Sequence, residues 1–319
     1  MIDSKMPLTS ACKYPLVSVL IPSYNHAKYI SSCLDSILSD GYPNLEVIVL
    51  DDGSTDETYR LAAEWFDFHG RQLSSHILMR QDNKGVAKTL NNLLRVFKGE
   101  YFVLLASDDM LLKGGIEVRL ATLESTPKAL AVCADAIGID EVGRETCNSI
   151  LVEKFHASVG ALVNCRTRPY ELILNWCIPG PVFLAKREVL KKIGYYNEIF
   201  RIEDRDYYLK LIAIDALAFT PNKVAAYRLH GAASTGTRKR QIEVGREVMR
   251  IELHNLKLFR GLKRVALWLT LKGNSVNFKK VNGIKLTNSL AQTAVARLAA
   301  IALKYAVRLM AYIYKLKRS

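Results

Sequence analysis

No Cys-x-x-Cys pair and no regular cysteine framework occurs in this chain. Its six cysteines, Cys12, Cys33, Cys133, Cys147, Cys165 and Cys177, are scattered, which argues against a structural zinc site and suits a reducing compartment. No apolar run reaches the about 18 uninterrupted residues of a membrane-spanning helix. Met1–Lys5 opens without the apolar stretch of a secretory signal. Gly-x-Gly-x-x-Gly and the Walker loop are also missing, which removes support for a dinucleotide fold and for an ATPase. The last scarcity is local. Residues 237–319 hold 19 Lys/Arg and only 3 Asp/Glu, the last being Glu252, for a net +16. Residues 1–236 hold 26 and 28, a net of −2, so a near-neutral body carries a strongly basic tail.

What is present is a folded chain of 319 residues, half of them hydrophobic, long enough for one large domain or two. Leu16–Ile21 reads as a buried strand stopped by Pro22. Ile30, Leu34, Ile37 and Leu38 have the spacing of an amphipathic helix. Leu45–Leu50 is a second strand, Thr58–Phe68 a helix, His76–Met79 a short strand, and Val86–Phe97 a helix. Val103–Ala106 is a fourth strand, buried on both faces. This alternation predicts an α/β fold with a parallel sheet and right-handed crossovers. Three strand ends then present Pro22-Ser23-Tyr24-Asn25, Asp51-Asp52-Gly53-Ser54 and Ser107-Asp108-Asp109 at the edge where open α/β sheets bind ligands. Neighbouring carboxylates repel unless a cation lies between them or water covers them. A hard divalent ion takes such oxygens together with substrate phosphates. Taken alone, Ser107-Asp108-Asp109 is better read as a turn or helix cap than as a metal site, and Asp51-Asp52-Gly53-Ser54 suits either reading.

Further on, Gly114–Leu123 has a helical pattern and Ala129–Ala136 that of a strand, whereas residues 140–168 give no clear period. Ile178–Phe183 is expected as a strand, followed by a helix over Lys186–Leu190 and a stop at Gly194. Glu203 and Asp204 open another helix, where acids also suit the dipole.

Val17-Ser18-Val19-Leu20-Ile21-Pro22-Ser23-Tyr24-Asn25, Asp51-Asp52-Gly53-Ser54-Thr55-Asp56, Asn83-Lys84-Gly85-Val86 with Asn91, and Lys98-Gly99-Glu100-Tyr101 before the Asp-Asp pair carry a resemblance. In order and spacing they resemble the family 2 inverting glycosyltransferases of the GT-A fold, over about residues 15–235. The resemblance implies a Rossmann-like, mostly parallel sheet flanked by helices, with a nucleotide-sugar half at 15–112 and an acceptor half at 113–236. Residues 1–14 form an irregular N-terminus and 237–319 a basic helical extension. It also implies that Pro22, Tyr24, Asn25, Asp51, Asp52, Lys84 and Asp108 line the nucleotide site. Asp52 would accept the imide N–H of a uracil ring. Asp109, Asp108 and His230 are the expected ligands of Mg²⁺ or Mn²⁺, because Ala106 stands where the family places its first metal-motif aspartate. Arg228 and Arg238 are expected at the diphosphate. Asp204 is the candidate base, with Glu203 as runner-up. Gly231–Gly236 with Arg238-Lys239-Arg240 is expected to fold over the donor.

The implied donor is a nucleotide-diphospho-sugar, a UDP-sugar first, and the acceptor a lipid-linked or polysaccharide hydroxyl in bacterial envelope assembly. The alternatives are a silent GT-A binding module, motivated by Ala106, and a nucleotidyltransferase. The second lacks its Gly-rich basic loop, because Pro22–Lys28 is not one.

In the tail, Ala291–Leu316 is apolar except for Arg297, Lys304, Arg308 and Lys315, which fall on one narrow helical stripe. The charge suits a nucleic-acid partner, but such apolar content fits one poorly, and none is expected. Attachment to an anionic membrane surface, on the cytoplasmic face, is the preferred expectation. Packing on the body or in a homo-oligomer is the competing one.

Overall fold

In a computed structural model, residues 14–229, 238–281 and 289–316 are described. β1 (Val17–Ser23), β2 (Leu45–Asp51), β3 (Ser75–Arg80) and β4 (Tyr101–Leu104) lie parallel in the order β3-β2-β1-β4. They are joined by α1 (Ile30–Asp40), α2 (Thr58–His69) and α3 (Val86–Val96). The two-residue period sorts their side chains. Val17, Val19, Ile21, Val47 and Val49 enter the core beneath α1 and α2, while Leu20, Ile48 and Leu50 enter the one beneath α3. Both faces are covered, so the strands read as continuous apolar runs.

β5 (Met110–Leu111), α4 (Gly115–Glu124), β6 (Ala131–Ile139), β7 (Glu145–Cys147), α5 (Val159–Val163), α6 (Arg168–Leu174), β8 (Leu184–Lys186), α7 (Val189–Ile193), α8 (Glu203–Ala213) and β9 (Leu217–Arg228) follow. The sheet continues β4-β8-β6-β9-β5, with β7 on β6. β8 is antiparallel to both β4 and β6, while β6 and β9 are parallel. The mostly parallel sheet is as expected, with local differences. Ile178–Phe183 is a loop ending in a short 3₁₀ turn at Gly180–Val182, with the strand only after it. Two prolines, Pro179 and Pro181, remove donors that a strand would need there. The fourth strand ends at Leu104, although the Leu105 N–H still reaches Leu20 O at 3.1 Å.

The C-terminal extension forms α9 (Arg238–Asn255), α10 (Gly261–Val281) and α11 (Ser289–Leu316). α9 packs on α8, α10 on α6, and α11 on α5 and α6. Buried polar groups key this layer to the body. Arg205, 2% exposed, donates to Leu172 O (2.8 Å), Ile173 O (2.9 Å) and Glu252 of α9 (3.4 Å). Asn274 of α10 donates to both Glu252 oxygens, and Asn255 donates to Asp206. On α11, Val307 and Ala311 bury against Ala161. Arg308 donates to the buried Glu171 at 2.6 Å and to His156 O at 2.7 Å. One member of the cationic stripe is therefore turned toward the body, and packing on the body accounts for that side of the helix. Leu298, Tyr305, Leu309 and Tyr312 face outward and are exposed. Among the described residues no helix is long and apolar enough to cross a membrane.

Candidate active site

The first two strand ends are knitted into one rim. Asn25, in the left-handed region at φ 53°, accepts from Thr55 N at 2.8 Å and donates its own N–H to Ser54 Oγ at 2.9 Å. His26 N donates to Thr58 Oγ1 and Ala27 N to Asp56 Oδ2. Gly53 has φ +80°, and a Cβ there would stand 2.9 Å from Asn83 N, so only glycine fits this turn. Pro22 is half-buried and Tyr24 exposed at the lip.

The two acids of this rim have different surroundings. Asp52 accepts from Gln81 Nε2 (2.7 Å), Lys84 N (2.8 Å) and Gly85 N (2.9 Å). Its carboxylate thus shapes the Asn83–Gly85 turn and sits at the N-terminus of α3, where negative charge is favoured. Two oxygens offer about four acceptor sites, so one remains for a base. Asp51 accepts from Ser54 N at 3.0 Å and lies 3.3 Å from Arg80 Nε, while its buried Oδ2 has no hydrogen-bond partner. Lys84 is exposed beside them.

The third strand end carries the acid pair. Asp109 N–H closes a turn onto Ala106 O at 3.0 Å. The Asp109 carboxylate, 2% exposed, accepts from Arg228 N at 2.8 Å. The Asp108 side chain is more open, at 16%, with Oδ1 3.8 Å from His26 Nδ1; the same nitrogen is 2.8 Å from Ser107 Oγ. Arg228 is buried, donates to Asp108 O and Asp140 O at 2.7 Å each, and stacks over Tyr29 at 4.6 Å. Two of its nitrogens therefore hold the acidic loop in place. Burial, and then the Asp108 charge, push the Asp109 carboxyl well above its ordinary range against the pull of Arg228. A divalent cation would relieve that repulsion, and hard carboxylate oxygens suit Mg²⁺ or Mn²⁺. No cluster of three His, Cys, Asp or Glu exists among the described residues, so further ligands would come from substrate phosphate and water. His230 lies outside the described residues, as do residues 231–237 and the side chains of Arg238, Lys239 and Arg240.

The second acid pair opens α8. Burial and then the Asp204 charge push Glu203 up to about 8. Burial raises Asp204 to about 6, held back by the Arg205 N–H and charge. The two carboxyls therefore titrate as a pair, both raised by burial. Tyr227 on β9 feels the charge of both acid groups. Its hydroxyl is pushed up to about 12 by burial and then by Asp109, Asp108 and Asp204 together. Sequence reading missed Tyr227, Tyr29 and His26. Tyr227 sits beside Arg228 in the sequence, but nothing local marks it as lying within the influence of Asp108 and Asp109, more than a hundred residues away, and of Asp204. The Asp108–Asp109 loop thus sits against the end of β9 through Arg228, the Asp51–Asp52 rim borders the same sheet edge, and the Asp204 charge is felt at the Tyr227 hydroxyl.

The mixed, mostly parallel sheet flanked by helices has the GT-A architecture, as comparisons with known structures show. Solved structures with this fold include the mannosyltransferase PcManGT from Pyrobaculum calidifontis in complex with GDP-Man and Mn²⁺. Its TM-score is 0.60 at 19% identity, covering 98% of this chain and 91% of that one. Residues 1–349 of S. aureus TarS in complex with UDP-GlcNAc give 0.57 at 20% identity, covering 94% and 92%. The sequence profile of glycosyl transferase family 2 matches residues 18–194. This chain belongs to that family. An uncharacterized glycosyltransferase of Rickettsia typhi is 28% identical over 232 residues, 72% of this chain and 69% of that protein. Chondroitin synthase of Escherichia coli is 29% identical over 231 residues, 72% of this chain but only 31% of that protein.

Proposed function

We propose that the chain is an inverting glycosyltransferase. It moves a hexosyl or N-acetylhexosaminyl group from a nucleotide-diphospho-sugar, a UDP-sugar first, to a hydroxyl of a lipid-linked or polysaccharide acceptor. The acidic loop of Asp108 and Asp109 is the observation that supports this assignment. It is tied to the end of β9 by Arg228 N at 2.8 Å from Asp109 and Arg228 Nε at 2.7 Å from Asp108 O, and it offers a leaving-group site on the sheet edge that the Asp51–Asp52 rim borders. Burial raises the Asp204 carboxyl above its ordinary range, which makes its carboxylate a better proton acceptor. As the acceptor oxygen bonds to the anomeric carbon, the bond from that carbon to the diphosphate oxygen breaks on the opposite face. The hydroxyl proton passes to Asp204. Tyr24, Asp51 and Asp52 bind the base and ribose, with Pro22 and Lys84 alongside. Asn25 acts through the rim it holds together. Asp109 and Asp108 would hold Mg²⁺ or Mn²⁺, which offsets negative charge on the leaving diphosphate when bound. Arg228 serves by fixing the Asp108 loop.

Asp204→Asn is expected to lower transfer by about 10²–10⁴-fold while UDP still raises the melting temperature in Mn²⁺. Unchanged transfer sinks the assignment. The outward apolar residues of α11, on an extension of net +16, support peripheral attachment to an anionic membrane at its cytoplasmic face. Sedimentation with anionic vesicles is expected, and loss of it in Tyr305→Glu/Leu309→Glu. Recovery of the whole protein in the supernatant would overturn the attachment.

A further inference from the structure

A cavity of about 800 Å³ opens beside Glu203 and Asp204, within the roughly 300–1,000 Å³ of ligand sites. Val86, at the start of α3 and next to the turn that Asp52 organises, reaches it from the donor side. Glu243, Glu247 and Arg250 of α9 line it as well. Trp176 is the aromatic residue in its lining. The ring is half-buried and backed by the Arg205 guanidinium, 5.6 Å from the ring centroid. Arg205 is itself fixed by two main-chain carbonyls and Glu252, so the indole has a rigid, cationic backing and one working surface. Glu247 is held in place by Arg201 N at 2.9 Å and by Arg250 at 3.1 Å.

A pyranose has a C–H face that suits an aromatic plane and a rim of hydroxyls that carboxylates accept. We propose that this cavity is the acceptor saccharide subsite, with Trp176 stacked against a pyranose ring and the α9 carboxylates receiving its hydroxyls. The inference rests on the transferase reading and extends it, since the base borders the same cavity. It gives α9 a role in acceptor choice. α9 lies beyond residues 18–194, so this wall belongs to the extension and not to the family segment.

The test uses the full chain with UDP and Mn²⁺. Saturation-transfer NMR is run with four probes: the methyl β-glycosides of glucose, galactose, N-acetylglucosamine and glucuronic acid. At least one is expected to bind through its ring C–H protons. Trp176→Ala should weaken that binding about tenfold or more, and Trp176→Phe should retain most of it. Glu243→Ala, at an exposed position that folding tolerates, should weaken it by about threefold. UDP should raise the melting temperature of all three variants as it does that of the wild type. Failure of all four probes to bind the wild type overturns the proposal, as does equal binding by Trp176→Ala and Glu243→Ala. A wild type that ignores UDP but binds sugar through Trp176 sinks the transferase reading and leaves the saccharide site standing.

Discussion

Glu252→Ala tests whether the C-terminal helices are built into the catalytic half. The Glu252 side chain is fully buried and accepts from Arg205 at 3.4 Å and from Asn274 at 3.1 and 3.2 Å. Removing it leaves Arg205, 2% exposed, on two carbonyls at 2.8 and 2.9 Å without that counter-charge. Breaking a buried ion pair from one side costs about 3–5 kcal/mol. The long 3.4 Å contact and the surviving carbonyl bonds place the loss near the lower end, ~3 kcal/mol. At roughly 2–4 °C per kcal/mol for large domains, Tm should fall by about 6–12 °C. Thermal melts followed by circular dichroism, with urea titration beside them, read this directly. Glu252→Gln keeps the volume and the bond to Asn274 but loses the charge, and about half the effect is expected. A Tm within about 2 °C of wild type for Glu252→Ala would refute the reasoning.

Transfer at saturating substrates is expected to rise with pH through about 6, as Asp204 ionises; a rate flat from pH 5 to 7 contradicts its role as base. The same acids make a stability prediction. Their folded-state values lie above the unfolded ones, so the stability they contribute is complete below about pH 4 and is lost as pH rises through 6 and then 8. The Tm of Glu203→Gln/Asp204→Asn should therefore gain on the wild type between pH 5 and 8. Asp109→Asn should abolish the Mn²⁺-dependent part of the UDP thermal shift, and a full shift in that variant removes Asp109 from the metal site.

Much of the donor half was legible because its signals are local. Val17–Ile21, Leu45–Leu50 and Val103–Leu105 are mostly apolar, broken by Ser18 and Glu46, as suits strands covered on both faces. Asp51-Asp52-Gly53 needs its glycine for a positive φ. The roles inside those motifs were less legible. Ser54 and Thr55 bind Asn25, and Asn91 clamps Tyr196 across more than a hundred residues. These residues hold the site together from behind, and a motif alone does not separate such a role from ligand contact. Residues 140–168 gave no period because they form short pieces: β7, a π-helical turn at Ile150–Lys154, and α5. The side of α11 that meets the body was hidden for a different reason. The stripe containing Arg308 looks solvent-facing until Glu171, fully buried and 137 positions away, supplies its partner.

The place of β8 in the sheet bears on how the protein is made. β4, which leads into Ser107-Asp108-Asp109, pairs with β1 on one side and with Leu184–Lys186 on the other. During synthesis, β4 therefore presents an open edge until some eighty further residues have left the ribosome. An open edge is a template for pairing with other chains, and slow closure over such a span favours misassembly. A fragment that stops before Leu184 keeps the Asp51–Asp52 rim and the Asp108–Asp109 loop and still lacks the strand that pairs with β4. Such a fragment is expected to aggregate.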